Sequence, residues 1–358
     1  MTADSTTGSA ATARQEYSTT PADIAVDRER ILALWREGLA QNGMPEAKFD
    51  WYYRDNVEGP PAVLFLRAAG DTQPVGVASL GRRRMRRGTE TLVAGALADF
   101  IVVPAHRSFF PALHLQQAMR RHGLASQPVV FGMPNPQSEA VVRRAGYRRV
   151  GDLVRSARVV RSSAYFSRHL PLWLAAVLGA GVDGARHALT AVRARRTGAL
   201  GAHWSDRPHA GADALWERAV AGGALMGVRD TRFLTWRFVD CPLYRYRFLN
   251  LVGGNERELA AYAVCLERDH TTHVCDFLAD DAVPGAAARL WLELALDAYR
   301  RGQRSASVEF LGPAEVRRGI EAAGWVARER QALYATFEGR DELRDEAAWY
   351  LTAADEDA

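Results

Sequence analysis

Apolar residues recur along this chain with two different spacings, which predict helices and strands in alternation. Residues Asp27 to Leu39 have the helical spacing. An aromatic-rich loop is predicted at residues 49–53, and β-branched runs at Val63–Leu66 and Val75–Leu80 predict two strands. The five arginines within residues 82–87 are interpreted as a solvated hairpin tip, because charge runs usually face solvent.

Two strand-loop-helix units follow. The first has a strand at Asp99–Val103, a loop at Ala105–Phe110, and a helix with Pro111 in its first turn. The second has a strand at Val129–Phe131 and a helix that ends at Gly146. A strand that leads directly into a helix leaves backbone N–H groups free at the helix N-terminus, which predicts an anion-binding site.

The second half of the chain repeats this order. The offset between matched positions drifts only from 177 residues (276 − 99) to 185 residues (236 − 51). The repeat predicts an α/β (α+β) fold of two similar domains, each a mixed, mostly antiparallel sheet flanked by helices. The matched positions are Trp51 with Trp236, Asp99 with Asp276, Val129–Phe131 with Ser307–Glu309, and Gly146 with Gly324.

Changes in composition give the expected boundaries. Residues 1–24 are rich in Thr, Ser and Ala without a long apolar run and predict a disordered leader. The two domains are predicted at residues 25–160 and 211–340, with a helical connector at 161–210. Residues 341–358 are predicted to form an acidic tail.

The connector contains an apolar helical stretch within residues 170–194. Its apolar run is about 13 residues long, too short for a bilayer, which needs about 20. One interpretation is a helix docked between the domains. The other is an interfacial helix with an apolar face and a basic rim, which would give peripheral membrane contact. The sequence leaves both open.

Composition and charge narrow the functional classes. The chain has 48% hydrophobic and 25% charged residues and a net charge of +4, as in globular proteins. Lys48 is the sole lysine, and the arginines are spread along the chain, so no nucleic-acid partner is expected. Three cysteines without a Cys-x-x-Cys pattern suit a reducing cytoplasm. His270 and His273 lack a third ligand at metal spacing, so no metal is expected.

Two motifs resemble those of the GNAT acyltransferase superfamily. In that family a loop of the form Arg/Gln-x-x-Gly-x-Gly/Ala cradles the coenzyme A pyrophosphate. Here Arg107 and Ala112 match the loop, and Asn135 stands eleven residues before the Gly146-Tyr147 pair, as in the family's next motif. The ordered set also resembles tandem GNAT proteins found with bacterial surface-polysaccharide genes.

The resemblance implies an acyltransferase that uses acetyl-CoA or another acyl-CoA. Its acceptor would be the amine of a small molecule or of an amino sugar used in polysaccharide biosynthesis. Asp99 is the candidate general base; the alternative is a structural Asp that bonds nearby backbone. Trp236, Arg237 and Glu309 are the candidate substrate-binding residues. The implied cofactor-binding residues are Ile101, Val102, Val103, Arg107, Ser108, Phe109, Phe110, Ala112 and Asn135.

The chain departs from the family pattern at several positions. Phe110 replaces a glycine that lets the backbone approach the pyrophosphate. Val142 stands where many members have a Tyr that protonates the leaving thiolate. Asp280 and Asp281 would repel a pyrophosphate in the second repeat. Three alternatives therefore stay open: a carrier-protein donor, an aminoacyl-tRNA donor, and a non-catalytic binding protein. No oligomeric state is predicted.

Overall fold

The computed structural model describes residues 16–38, 44–162, 166, 171–198, 200–254 and 258–356. The strands are β1 Tyr17–Pro21, β2 Ala62–Ala68, β3 Gly76–Arg87, β4 Glu90–Val102, β5 Val129–Gly132, β6 Arg148–Val159, β7 Gly201–Ser205, β8 Leu225–Gly227, β9 Tyr246–Val252, β10 Leu259–Arg268, β11 Thr271–Ala279, β12 Ser305–Leu311, β13 Val326–Phe337 and β14 Trp349–Thr352. The helices are α1 Arg28–Gly38, α2 Pro45–Lys48, α3 Phe109–Leu124, α4 Glu139–Arg144, α5 Leu172–Arg196, α6 Ala212–Ala219, α7 Thr231–Leu234, α8 Ala286–Arg300 and α9 Ala314–Ala322.

These strands form one mixed sheet. Counted inward from either edge, the equivalent strands of the two halves follow in the same order. The path is β1-β2-β3-β4-β5-β13-β6-β12-β11-β10-β9-β7. The only parallel pairs on this path are β4–β5 and β11–β12. At the centre the last long strand of each half is exchanged, because β13 lies beside β5 and β6 lies beside β12. Each half of the sheet is therefore completed by a strand from the other half of the sequence.

The mixed α/β architecture predicted from the sequence is confirmed, but the arginine cluster needs correction. β3 runs antiparallel to β4 as far as Arg87, so the cluster lies within a strand and not at a hairpin tip. Side chains alternate across a strand, and Arg83 is consequently only 4% exposed. Its neighbour Arg84 pairs with Glu58 at 2.9 Å.

The aromatic-rich loop at residues 49–53 also needs correction. Residues Phe49–Arg54 form a π-helical turn directly after α2, and its aromatic side chains are buried. Trp51 stacks on Trp236 with ring centroids 5.1 Å apart. Trp51 Nε1 donates to the Trp236 carbonyl at 2.9 Å, and Trp236 Nε1 donates to the Trp51 carbonyl at 3.3 Å. The two matched positions of the repeat therefore contact each other reciprocally.

Both predicted terminal segments need correction as well. The predicted leader of residues 1–24 overlaps β1, which pairs with β2. The predicted acidic tail contains β14, which pairs with β12 and β8. Trp349 and Leu351 are fully buried, and apolar burial therefore outweighs the acidic composition of this segment. The other domain boundaries stay predictions.

The predicted connector, residues 161–210, contains α5 and also β7, which the sequence pattern did not reveal. β7 pairs antiparallel with β9, as β1 pairs with β2 at the opposite edge of the sheet. Within the described part of the chain, no helix combines the length and the apolar character needed to cross a bilayer.

Four charged side chains form a buried cluster where the C-terminal segment meets the sheet. Arg229 pairs with Asp276 at 2.9 Å and with Asp355 at 2.7 Å, and Arg83 pairs with Asp355 at 2.8 Å. Each of the four is at most 5% exposed as a side chain. Two guanidinium groups face two carboxylates, so the cluster balances its own charge in a buried site. A methyl group on Gly227 would lie 2.1 Å from Arg83 Nη2, which shows how closely the cluster is enclosed.

Replacement of Asp355 by Ala is expected to lower the free energy of unfolding by about 3–5 kcal/mol, because two buried guanidinium groups lose their carboxylate. Burial opposes ionisation, but Arg229 and Arg83 outweigh it and hold the pKa of Asp355 below its usual range. The contribution is therefore present at neutral pH and is lost as the pH falls through the folded-state pKa.

Urea denaturation at pH 7 measures this loss. Asp341→Ala is the matched control, since that side chain is 83% exposed and the change should stay within about 0.5 kcal/mol. A loss for Asp355→Ala as small as that of the control would contradict the role given to the cluster.

Candidate active site

The parallel strands β4 and β5 separate soon after they meet. They are paired only at Gly95 with Val130 and Ala96 with Phe131. We call the space between residues 98–103 and residues 132–135 the first cleft. No strand among the described residues inserts into it. The backbone of Ile101, Val102 and Val103 therefore forms one wall of a wedge-shaped opening.

Asp99 lies at an irregularity of β4 beside this cleft. The register between β3 and β4 shifts here, and Asp99 has φ of +47°, a left-handed conformation that is unfavourable for a residue other than glycine. Lys48 Nζ donates to Asp99 Oδ1 at 2.8 Å, and the Tyr53 hydroxyl donates to Asp99 Oδ2 at 2.8 Å. Burial, and then the charge of Asp99, raise the pKa of Tyr53 well above its usual value. Backbone strain held in place by buried contacts is typical of functional sites.

Both predicted roles for Asp99 remain open in this arrangement. Its side chain is 1% exposed, and each carboxylate oxygen accepts a hydrogen bond from a neighbouring side chain. Tyr53, Lys48 and a bound water are each able to pass a proton to Asp99. The role of general base stays a prediction, and the contacts themselves assign a positioning role. The sequence did not reveal Tyr53 and Lys48 as partners of Asp99. The hydrophobic pattern does not show which segment covers the irregularity of β4.

The second half of the sheet has an equivalent cleft, but the chain itself fills it. β11 and β12 pair from Thr271–Ser305 to Val274–Val308 and then separate. β14 inserts into the gap, with Leu351 opposite Leu311 on β12. The Tyr350 hydroxyl donates to the carbonyl of Phe277 on β11 at 3.0 Å. Asp276, the counterpart of Asp99, belongs to the buried charge cluster. The two clefts are therefore structurally unequal.

The two helices that follow the clefts differ in the same way. The N-terminus of α3, after the first cleft, is exposed at Ser108, Phe109 and Phe110. The Ser108 N–H donates to the His106 carbonyl at 2.7 Å, and Pro111 has no N–H. The first turn of an α-helix leaves N–H groups without an acceptor inside the helix, and Phe109 supplies one of them at α3. Arg107 donates from Nε to the Val102 carbonyl at 3.2 Å and stays exposed beside them.

The N-terminus of α8, after the second cleft, is covered by the end of α5. Gly285 precedes α8 with φ of +82°, and a methyl group there would lie 2.6 Å from the Thr197 carbonyl oxygen. Arg289 on α8 donates to the Ala194 carbonyl at 2.7 Å. Asp280 pairs with Arg218 at 2.5 Å. Burial, followed by the charge of Asp280, raises the pKa of Asp281. This end of the helix has neither the space nor the charge to accept a pyrophosphate.

A cavity of about 290 Å³ brings together two of the predicted site residues, Asn135 and Glu309. Asn135 Oδ1 accepts from the Ser138 N–H at 2.9 Å, which fixes the turn before α4. Burial raises the pKa of Glu309, although Arg155 opposes the shift. Arg155 also pairs with Glu329 at 3.0 Å. Sequence reasoning missed Arg155 and Glu329. They lie on β6 and β13, which become neighbours only through the strand exchange.

The other two predicted substrate-binding residues lie elsewhere. Trp236 and Arg237 are each 5% exposed and are not among the residues that line this cavity. Arg237 donates to the Glu356 carbonyl at 3.3 Å and lies over the Trp51 ring at 5.4 Å. In the structure, Trp236 and Arg237 lie inside the protein, where they contact the other half of the chain and the C-terminal segment. Their substrate-binding role stays a prediction.

Comparison with known proteins establishes a fold. No protein-family model and no curated protein matches the sequence. A GCN5-related N-acetyltransferase from Anabaena variabilis has a TM-score of 0.61 at 10% identity, over 90% of this chain and 73% of that chain. One from Kribbella flavida has a TM-score of 0.57 at 13% identity, over 90% and 71%. A tandem GNAT protein from the clavulanic acid biosynthesis pathway has a TM-score of 0.52 at 15% identity, over 90% and 99%.

These structural neighbours are N-acetyltransferases of the GNAT fold, and one of them is a tandem GNAT protein. At identities of 10–15%, the likeness shows that this chain shares their fold. The resemblance to the GNAT superfamily drawn from Arg107, Ala112, Asn135 and Gly146 is thereby confirmed at the level of the fold.

A double-mutant cycle tests the ion pair of Asp99 with Lys48. Asp99→Asn and Lys48→Met should each lower the free energy of unfolding by about 3 kcal/mol, since each removes one side of a buried ion pair. In the double variant the loss should be less than the sum, because neither charge remains. Additive losses would contradict a coupling between the two side chains, and denaturation of the three variants beside the wild type decides between these outcomes.

Proposed function

We propose that this protein is a tandem GNAT protein that transfers an acyl group from acyl-CoA to an amine. Its two GNAT-like domains are centred on residues 25–160 and 211–340, the segment between them contains α5 and β7, and only the first domain binds the acyl donor. The observation that carries the proposal is the inequality of the two clefts. No strand of the described ranges enters the first cleft, whereas β14 fills the second and α5 covers its helix.

The donor would lie along the first cleft. The backbone of Ile101–Val103 would line the pantetheine arm, and the Val102 carbonyl would accept from it if Arg107 turned toward the pyrophosphate. The pyrophosphate would meet Arg107, the N–H group of Phe109, and the positive end of the α3 dipole. The Ser108 side chain makes no capping bond with its helix, which leaves its hydroxyl available to a phosphate oxygen. Ala112, at the last position of the loop motif, has a small side chain that adds no bulk beside the pyrophosphate.

The reaction needs a neutral amine placed against the thioester carbonyl. The amine nitrogen attacks the carbonyl carbon, the C–S bond breaks, and the proton lost by the amine passes to a base. Asp99 is our candidate for that base, acting through water or through Tyr53. The thiolate can leave without an acid, since the reference pKa of a thiol is near 8.5. Buried Val142 occupies the position of the usual acid.

The acceptor would enter through the cavity that Asn135 and Glu309 share. Burial raises the pKa of Glu309, and its carboxyl group could form a hydrogen bond with an acceptor hydroxyl. Arg155 and Glu329 offer further polar groups there. Several polar groups facing one small cavity suit a hydroxylated small molecule such as an amino sugar. The link to surface polysaccharide comes from sequence resemblance alone.

A thioester carried on a protein is the second candidate donor, and one observation favours it. Phe109 and Phe110 are 36% and 64% exposed, with ring centroids 6.1 Å apart. Arg107 is exposed beside them, and the Arg144 guanidinium lies 5.3 Å from the Phe109 ring. An exposed aromatic pair with a basic rim suits an acidic protein surface better than a free nucleotide.

Titration calorimetry with acetyl-CoA and a longer acyl-CoA tests the donor. We expect one binding site per chain, and about tenfold weaker binding by Arg107→Ala, because a charge-assisted phosphate contact is lost. Phe110→Gly should bind more tightly, because the backbone can then approach the pyrophosphate. Arg318→Ala, an exposed arginine on α9, is the matched control and should bind like the wild type.

If only Phe110→Gly binds acyl-CoA, we would favour the carrier-protein donor instead. Two sites per chain would contradict the closure of the second cleft. The absence of binding by every variant would contradict the use of acyl-CoA.

A further inference from the structure

Helix α5 presents its apolar residues to solvent. Large apolar side chains along it are 36% to 70% exposed, which is unusual for the surface of a globular protein. An amphipathic helix on a globular protein normally turns its apolar stripe toward the core. The exposed residues are Trp173, Val177, Leu178, Val182, Leu189 and Val192.

The side of α5 that faces the protein includes polar side chains with buried partners. Asp183 accepts two hydrogen bonds from the Ser162 N–H, at 2.9 and 2.8 Å. Thr190 Oγ1 accepts from Arg158 at 2.7 Å. Asp183 and Thr190 are each 4% exposed. These bonds fix the rotation of the helix about its axis, so the apolar side cannot turn inward without the loss of buried polar contacts.

The exposed apolar residues form one continuous strip, which we call the α5 strip. Successive residues of an α-helix are about 100° apart around its axis. The exposed large apolar residues from Val177 to Val192 therefore fall within a sector of about 140°. Gly181, Ala185 and Ala188 lie between the larger side chains and are also exposed. From Trp173 to Val192 the strip is about 28 Å long at about 1.5 Å per residue. Its shape is that of a helix lying flat on a surface.

Positive charge surrounds the α5 strip without matching negative charge. Asp183 is the only acidic residue between Leu172 and Arg196, and it is buried. Arg193, Arg195 and Arg196 lie in the last turn of the helix. Neither Arg195 nor Arg196 has an ion pair within the described ranges of the chain.

A basic cavity adjoins the same helix. It has a volume of about 550 Å³ and lies between α5, α8 and the end of β6. Arg158, Arg186 and Arg193 line it, and its one carboxylate, Asp183, already accepts from Ser162. Burial, and then the nearby charges of Arg193 and Arg186, lower the pKa of Arg158. An anion in this cavity would relieve that repulsion.

We propose that the α5 strip docks on an anionic lipid surface, with the apolar side chains among the acyl chains and the arginines at the phosphate groups. Charge selects this partner over a second copy of the chain. A second copy would bring the same arginines without exposed acidic residues on α5, whereas lipid phosphates neutralise them. The proposal is independent of the acyl-transfer reaction.

Vesicle flotation with the full chain tests the proposal. The protein should float with vesicles that contain phosphatidylglycerol and not with pure phosphatidylcholine vesicles. Higher salt should weaken binding, because ions screen the arginines. Val182→Glu and Leu189→Glu should each lower the partition coefficient about tenfold or more, because an apolar contact is lost. Val26→Glu, at a residue 76% exposed outside the strip, is the matched control and should bind like the wild type.

A spectroscopic measurement gives a second readout. Trp173 is 70% exposed, so its emission should shift to the blue on binding, and the shift should disappear in Trp173→Phe. Equal thermal stability of the variants would show that they fold.

Two results would overturn the proposal. One is vesicle binding that both Glu variants retain. The other is a lipid-free dimer that does not bind vesicles and dissociates in Leu189→Glu, which would make the α5 strip an interface between copies.

Discussion

The ion pairing of Arg229 with Asp276 and Asp355 is the interaction on which much of this architecture depends. It holds the C-terminal segment against β11, and the bond from Arg83 to Asp355 extends it to β3 in the other half. With that segment in place, β14 occupies the second cleft. The asymmetry of the molecule thus depends on four buried charges that are stable only together. Asp99 at the matching position pairs instead with Lys48, and no strand of the described residues enters its cleft.

Much of the fold was predictable because the sequence pattern of each repeated unit is local. Each strand-loop-helix unit shows its own periodicity, and Gly146 and Gly324 mark equivalent helix ends in both halves. The strand exchange was not predictable, because β6 and β13 have the same alternation whichever neighbour they take. The terminal strands were missed for another reason. β1 and β14 are short, and the polar or acidic residues around them dominate the composition.

The candidate site shows the same division between local and distant information. The stretch from Arg107 to Ala112 could be placed at a helix N-terminus from sequence, since a strand, a loop and a proline fix that geometry. Asn135 and Glu309 were identified separately, but only the sheet shows that they share a cavity. The choice of Lys48 as the partner of Asp99 is notable in a chain that otherwise uses arginine. The ammonium of Lys48 is a compact charge on a flexible stem, and it bonds one carboxylate oxygen while Tyr53 bonds the other.

The exchanged strands also constrain how the chain can fold as it is made. β5 is synthesised almost two hundred residues before β13, its antiparallel neighbour. Until β13 emerges from the ribosome, the edge of β5 stays unpaired, and β6 waits for β12 in the same way. Pairings between such distant segments slow folding and leave strand edges open to wrong partners. The native sheet can therefore be completed only after both halves have been synthesised.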